Sequence, residues 1–109
     1  MSNYARTYSH YTRQAISLLA SLIQLYRKNL KMTAEDLAAR AGISRSTLHK
    51  IERGDMKCEI GLVFEVAALV GLKFFDADKG SIANLNETVQ NRIVLLPKSI
   101  RRRKVDDEF

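Results

Sequence analysis

A chain of 109 residues, 46% of them apolar, can bury one modest core, which favours a single small globular domain over global disorder. Its one cysteine, Cys58, excludes an intrachain disulfide and a cysteine-based zinc cluster. The net charge of +6 lies mainly in the two flanks, which suits a polyanionic partner, although a solubility charge would look the same. With no signal peptide, lipidation motif or long apolar run, we expect a cytoplasmic protein without a membrane partner.

The first predicted element is a long helix. Its apolar residues recur at alternating four- and three-residue steps, which places them on one helical face. They are Tyr4, Tyr8, Tyr11, Ala15, Leu18, Leu22 and Leu25. We interpret this face as a packing face, widened by Ile16, Leu19, Ile23 and Tyr26.

The segment from Thr33 to Gly54 predicts two short helices joined by a tight turn. Thr33 is expected to cap the first of these helices, with Asp36 closing a box-like N-terminus. Gly42 supplies the turn and Ser44 caps the second helix. Leu48 and Ile51 bury one side of that helix, which leaves an outward set: Arg45, Ser46, His49 and Lys50. This is a helix-turn-helix, whose second helix enters the major groove of DNA.

Beyond this motif the sequence predicts one more helix and one strand. The helix covers roughly Ile60 to Val70 and ends at Gly71, with Phe74 and Phe75 expected as core residues. Arg92 to Leu96 is apolar and rich in β-branched residues, which favours a short strand. Because one strand cannot satisfy its own edge, we expect it to pair with the same strand of a second copy.

The helix-turn-helix resembles that of the phage-repressor and Xre-type regulators. The resemblance rests on Ala38, Gly42, Ile43, Leu48, Ile51 and the run Glu52-Arg53-Gly54, and it extends from about Ala15 to Phe75. It implies an all-α, lambda-repressor-like domain of four to five helices, with the predicted strand added in a dimer. It also implies a sequence-specific repressor that binds double-stranded DNA at a palindromic operator as a homodimer. One departure is Ala34, where the family commonly has a Gln that bridges phosphate and recognition helix.

The resemblance also suggests roles for individual residues and boundaries for segments. Arg45, Ser46 and Lys50 occupy the outward positions that contact base edges in the family. The remaining DNA-binding residues are Ser44, Thr47 and Arg53, expected at phosphates, and His49, expected near a base or a phosphate. We divide the chain into an extension of the first helix at 1–11, the helix-turn-helix domain at 12–80, a dimerisation segment at 81–97 and a charged, flexible tail at 98–109.

The tail carries five basic residues from Lys98 to Lys104 and then three acidic ones before Phe109. Such a charge run is usually solvated, but it is also able to follow phosphates or to dock on a protein. It resembles the tails of Xre-type antitoxins that are paired with HipA-like kinase toxins. A HipA-like toxin is therefore a candidate partner, which would make the chain an autoregulating antitoxin.

An enzymatic function is not expected. His10 and His49 fall in different elements, and no phosphate loop, metal-binding spacing or paired acids are visible. We therefore predict no cofactor and no metal. The alternative to a DNA-binding repressor is a protein-interaction module that keeps the helix-turn-helix shape without binding DNA. The polar, cationic outward positions favour DNA, whereas Ala34 favours the interaction module.

Overall fold

The computed structural model describes residues 6–75 and 79–100, with Lys79 described by its backbone alone. These ranges contain five helices: α1 (His10–Asn29), α2 (Ala34–Ala41), α3 (Arg45–Glu52), α4 (Ile60–Leu69) and α5 (Lys79–Val94). The chain forms two compact units, the first ending at Phe74 and the second beginning at Phe75. The first unit holds α1 to α4 and the second holds α5. The predicted all-α class is confirmed.

One hydrophobic core joins the four helices of the first unit. Every one of these helices, or the residue that ends it, contributes buried side chains: Ile23, Leu37, Ala38, Leu48, Ile51, Val66, Ala67 and Val70. Full burial of one such Leu, Ile or Val is worth about 1.5–3 kcal/mol, so this shared core fixes how α2 and α3 pack.

The predicted start and end of α2 and the predicted start of α3 are confirmed. The Thr33 hydroxyl accepts the Asp36 N–H at 3.0 Å, and the Ser44 hydroxyl accepts the Thr47 N–H at 3.0 Å. Gly42 has a φ of +69°, the left-handed conformation that glycine adopts without steric cost. The Asp36 carboxylate accepts a hydrogen bond from Arg40 Nε at 3.4 Å, one turn further along α2.

Of the apolar face predicted for α1, only the widened edge enters the core: Ile23 is buried and Leu19 packs against the core, while most of the central stripe is exposed. Ala20 and Ile23 are buried, whereas Tyr11 is 80% and Leu18 61% exposed. The central stripe and this edge both have helical spacing, so periodicity alone cannot select between them. The buried side also carries Ala20, whose small side chain lies beside Gly54 and lets the end of α3 come close to α1.

The prediction that residues 1–11 extend the first helix requires α1 to begin earlier than it does. The helix begins at His10, and the Ser9 hydroxyl caps it by accepting the Thr12 N–H at 3.2 Å. Residues 6–9 are therefore not helical. Tyr4 lies outside the described residues.

The predicted strand was wrong, because Arg92 to Val94 form the end of α5. Leu96 follows in a turn, in which its N–H donates to the Ile93 carbonyl at 3.0 Å. A helix that has begun at Lys79 extends at little cost, and the β preference of Ile93 and Val94 is too weak to stop it.

Phe74 and Phe75, the two phenylalanines after α4 that were predicted as core residues, are not buried in the core. Phe74 packs edge-on against Phe64, with ring centroids 4.4 Å apart, and lies only at the rim of the core. Phe75 is 59% exposed and begins the second unit, so its assignment to the core was wrong.

A buried ion pair fastens α3 to α1. Arg27 Nε donates to Glu52 Oε2 at 2.8 Å and Nη2 donates to Oε1 at 3.0 Å, while both side chains are about nine-tenths buried. The Glu52 carboxylate raises the pKa of Arg27. Arg27 Nη1 also donates to the Met32 carbonyl at 3.0 Å, and Gln24 donates to the Glu52 carbonyl at 2.9 Å. The last turn of α3 is therefore held to α1 through both the side chain and the backbone carbonyl of Glu52.

We predict that Arg27→Ala lowers the free energy of unfolding by about 3 kcal/mol, because it leaves the buried Glu52 carboxylate without its partner. The double variant Arg27→Met with Glu52→Leu should lose far less, since no buried charge remains. Urea denaturation measures both. Arg40→Ala, which removes the exposed pair with Asp36, is the control and should cost less than about 0.5 kcal/mol. Equal losses for Arg27→Ala and Arg40→Ala would refute the structural role of the buried pair.

Candidate nucleic-acid interface

The residues predicted to contact DNA all lie on α3 and at its two ends. Leu48, Ile51 and Glu52 face the interior of the first unit. Thr47 is half-buried, and the other members of the predicted set are exposed: Ser44, Arg45, Ser46, His49, Lys50 and Arg53. The structure thus brings the whole predicted set together on one helix and leaves its outer surface polar and cationic.

Two clefts lie along the sides of this surface, and they divide the predicted residues between them. The first has a volume of about 300 Å³ and is lined by Gln24, Arg27, Ala34, Arg45, Leu48, His49, Glu52 and Arg53. The second has a volume of about 310 Å³ and is lined by Thr47, Lys50, Ile51, Asp55, Lys57, Cys58, Glu59 and Leu62. Ser44 and Ser46 line neither cleft.

The first cleft shows the consequence of Ala34. This position contributes a methyl group to the cleft wall, so the first residue of α2 offers no side-chain hydrogen bond there. Gln24 on α1 lines the same cleft, but its amide already donates to the Glu52 carbonyl. Sequence reasoning missed Gln24, since nothing in the α1 pattern indicates that it faces α3.

Sequence reasoning also missed an acid among the cations. Asp55 Oδ1 accepts the Lys57 N–H at 2.8 Å, and its Oδ2 lies 3.6 Å from Arg53 Nη2. The Lys57 N–H lowers the pKa of Asp55, and the charges of Arg53 and Lys50 lower it further. Asp55 is therefore ionised at neutral pH and partly neutralises Arg53. The sequence signal that could have revealed Asp55 is its place in the turn after α3. In such turns an aspartate carboxylate often accepts the backbone N–H of the residue two positions later.

Cys58 borders a third, apolar cleft of about 400 Å³, whose walls come mainly from α1 and α4. Burial raises the pKa of the Cys58 thiol, and the neighbouring Asp55 raises it further. A protonated thiol is a poor nucleophile, so this environment favours the interpretation of Cys58 as a packing residue.

Metal-binding clusters and membrane-spanning helices are absent from the described part of the chain. Within residues 6–75 and 79–100, no group of three or more His, Cys, Asp or Glu side chains is placed to hold a metal ion. Across the same stretch, no helix is long and apolar enough to cross a membrane.

A helix-turn-helix family model matches residues 23–74, from the middle of α1 to the end of the first unit. An uncharacterized HTH-type transcriptional regulator of Methanocaldococcus jannaschii is 37% identical over 54 residues, which cover 50% of this chain and 82% of the relative. The chain belongs to the Xre-type helix-turn-helix family. A similar regulator of Methanothermobacter thermautotrophicus is 34% identical over 53 residues, or 49% of this chain and 77% of the relative. No solved structure matches the chain significantly.

Membership confirms the resemblance that the motif residues indicated. The members of this family are DNA-binding transcription regulators, and the matched region contains α2, α3 and α4 in full. α3 is the second helix of the motif, which in helix-turn-helix proteins is the helix that enters the major groove. α5 and the residues after it lie outside the matched region.

We predict that Asp55→Asn tightens binding to every DNA sequence by about fivefold, which corresponds to about 1 kcal/mol. The asparagine keeps an acceptor for the Lys57 N–H but removes the charge that competes with phosphate for Arg53. Fluorescence anisotropy with specific and random duplexes measures the effect.

The matched control for this prediction is Glu65→Gln, which neutralises an exposed α4 carboxylate that lines neither of the clefts beside α3. It should leave affinity within about twofold of the original protein. A gain confined to one DNA sequence would show that Asp55 acts on base reading instead of on phosphate attraction.

Proposed function

We propose that this protein is a sequence-specific transcriptional repressor that binds a palindromic operator as a homodimer. The observation that carries the proposal is the exposed polar and cationic surface of α3, held in place by the buried Arg27–Glu52 pair. A surface that binds protein would be more apolar at its centre and poorer in charge. The exposed positions of α3 therefore favour repression through DNA over a protein-interaction module without DNA binding.

In this proposal the residues of α3 divide into readers of bases and anchors to phosphate. Arg45 grips a guanine with two hydrogen bonds, Lys50 reaches guanine acceptors and Ser46 contacts a neighbouring base edge. Arg53 anchors the C-terminal end of α3 to phosphate, and His49 approaches a base or a phosphate from the first cleft.

The N-terminal anchors are Ser44 and Thr47, and their hydrogen bonds refine their roles. The Ser44 hydroxyl donates to Thr47 Oγ1 at 3.0 Å, so its proton is already used within the cap. The Thr47 hydroxyl proton remains available for a phosphate oxygen. We therefore assign the stronger phosphate contact of this pair to Thr47, with Ser44 holding it in position.

The test is a gel shift with the DNA upstream of the protein's own gene, repeated over a range of salt concentrations. A repressor should bind one site in that region more tightly than random DNA of equal length. Its affinity should fall with salt by a log–log slope of about 0.9 for each phosphate contacted. Equal binding to all sequences, or none, would support the interaction module.

We predict that Arg45→Ala costs about 1–3 kcal/mol of binding to the specific site and relaxes discrimination at one base pair. The reason is the loss of two hydrogen bonds to one guanine, while the phosphate contacts remain. Arg40→Ala on α2 is the matched control, since it removes an exposed arginine that lies outside α3. Equal weakening of specific and random DNA by Arg45→Ala would assign that side chain to phosphate.

We further propose that the protein is the autoregulating antitoxin of an operon that encodes a HipA-like kinase toxin. Support comes from the resemblance of the tail, in which basic residues precede the acidic and aromatic end Asp106-Asp-Glu-Phe109. Residues 101–109 lie outside the described residues. Their basic part suits DNA phosphates, and their acidic end suits a protein.

We predict that deleting Lys98–Phe109 leaves a folded protein and weakens its binding to all DNA sequences alike. The slope of log affinity against log salt should become shallower by about 0.9 for each phosphate that the protein no longer neutralises. Removal of Asp106–Phe109 alone is the control and should leave the slope unchanged. If the full deletion also leaves the slope unchanged, the tail does not contact DNA. Binding assays with the purified toxin of the same operon, with and without Asp106–Phe109, then test the partner.

A further inference from the structure

The apolar cleft that Cys58 borders lies between α1 and α4 in the first unit, beside the residues that follow α3. It has a volume of about 400 Å³, and three of its lining side chains, Ala20, Ile23 and Ile51, are buried and give it a fixed floor. Small-molecule sites in proteins usually have volumes of about 300–1,000 Å³. The cleft therefore has the size of a site for one small ligand.

The rim of the apolar cleft carries large apolar side chains that are accessible to water. Ile60, the first residue of α4, is 74% exposed, and Phe74 is 36% exposed. Phe74 packs edge-on against Phe64, which also lines the cleft. Because removal of apolar surface from water is favourable, this rim would stabilise a ligand whose body is apolar.

Asp55 is the one charged side chain among the described residues that line the apolar cleft. It is ionised, and its Oδ1 accepts the Lys57 N–H at 2.8 Å. Its Oδ2 lies 3.6 Å from Arg53 Nη2, which is longer than a good hydrogen bond. Since each carboxylate oxygen can accept two hydrogen bonds, Asp55 keeps acceptor capacity for a ligand. An ammonium group complements this carboxylate better than a neutral or anionic group does.

Asp55 also connects the apolar cleft to the predicted DNA surface. It lines the second of the two clefts beside α3, and it partly neutralises Arg53. That second cleft is lined by Lys50 and Lys57 as well, which repel a cationic ligand. A cation in the apolar cleft would compete with the Arg53 guanidinium for one carboxylate. Its arrival would leave Arg53 more available for phosphate.

We propose that the apolar cleft is an effector site for a small amphiphilic amine, whose apolar body fills the cleft and whose ammonium group pairs with Asp55. The occupant is a free small molecule, since a protein partner would need a contact of roughly 800 Å² on each side. Occupancy tightens binding to DNA, and this consequence rests on the proposed function. Because coupling between two sites is reciprocal, DNA tightens binding of the amine by the same factor.

The first test titrates the free protein with three probes that share one apolar body. Octylamine carries a cation, octanol no charge and octanoate an anion. Octylamine should bind at least about 10-fold more tightly than octanol, and octanoate most weakly, because Asp55 attracts a cation in a poorly hydrated cleft. Isothermal titration calorimetry measures the three dissociation constants. Cys58, the only cysteine in the sequence, reports the location, since occupancy should slow its alkylation by N-ethylmaleimide.

Two variants separate the charge from the apolar wall. Asp55→Asn should bring the dissociation constants of octylamine and octanol within about twofold of each other. Ile60→Ala shortens an exposed side chain of the rim and should weaken both probes roughly 3- to 5-fold while the preference for the amine remains. The matched control is Val94→Ala, which shortens an equally exposed side chain of α5 that does not line the cleft. It should change neither constant, and circular dichroism confirms that each variant is folded.

The second test measures the effect of the amine on DNA binding by fluorescence anisotropy. Saturating octylamine should tighten binding of the original protein to specific and random duplexes by about two- to fivefold, up to the gain expected for Asp55→Asn. Octanol should have no effect. In Asp55→Asn the amine should no longer tighten binding. This variant is also the control for any direct effect of the amine on DNA, because such an effect would act on both proteins alike.

The outcomes separate this inference from the proposed function. Failure of octylamine to bind, or binding no tighter than that of octanol, overturns the amine site. A preference for octylamine that survives Asp55→Asn overturns it as well. Binding at the cleft without any change in DNA affinity overturns the effector role. If the protein bound no DNA, the proposed function would fail, while the titrations of the free protein would still decide the amine site.

Discussion

The orientation of α3 depends on one buried ion pair. Arg27 and Glu52 hold α3 to α1 by two hydrogen bonds, and Gln24 and the Met32 carbonyl complete the set of partners. Apolar contacts at Leu48 and Ile51 supply most of the free energy that holds α3 to the core. Because such contacts are not directional, they do not by themselves fix how the helix is rotated about its axis. A bidentate guanidinium–carboxylate pair has a fixed geometry, so it selects one orientation of the helix among those that the core permits.

The sequence alone was enough to predict those parts of the fold in which a few neighbouring residues allow only one backbone conformation. Thr33, Gly42 and Ser44 each satisfy a backbone requirement that few other residues meet, and α2 begins and ends, and α3 begins, where these residues predict. The outward set on α3 followed from the same helical register. These predictions succeeded because a cap or a left-handed turn is decided by a few neighbouring residues.

The sequence predictions failed where contacts between distant parts of the chain, and not local preferences, determine the structure. α1 is apolar on more than one side, and only packing against α3 shows that Ala20 and Ile23 are buried while Tyr11 and Leu18 are exposed. The run from Arg92 to Leu96 has strand-like composition, but the helix that precedes it extends through it. Gln24 and Asp55 were missed for a related reason. Gln24 bonds to the backbone carbonyl of the distant Glu52, and Asp55 accepts the backbone N–H of Lys57, and a sequence pattern reveals neither contact.

Asp55 gives the reading surface a property that its cations alone would not have. If α3 binds DNA as proposed, a charge that repels phosphate lowers its attraction for all DNA sequences equally, so a preference for the proposed operator is preserved. The time spent on each wrong site becomes shorter. Since a genome offers on the order of 10⁶–10⁹ such sites, most encounters of a regulator are with the wrong one. For the repressor proposed above, a single carboxylate beside Arg53 therefore shortens the time spent at each wrong site.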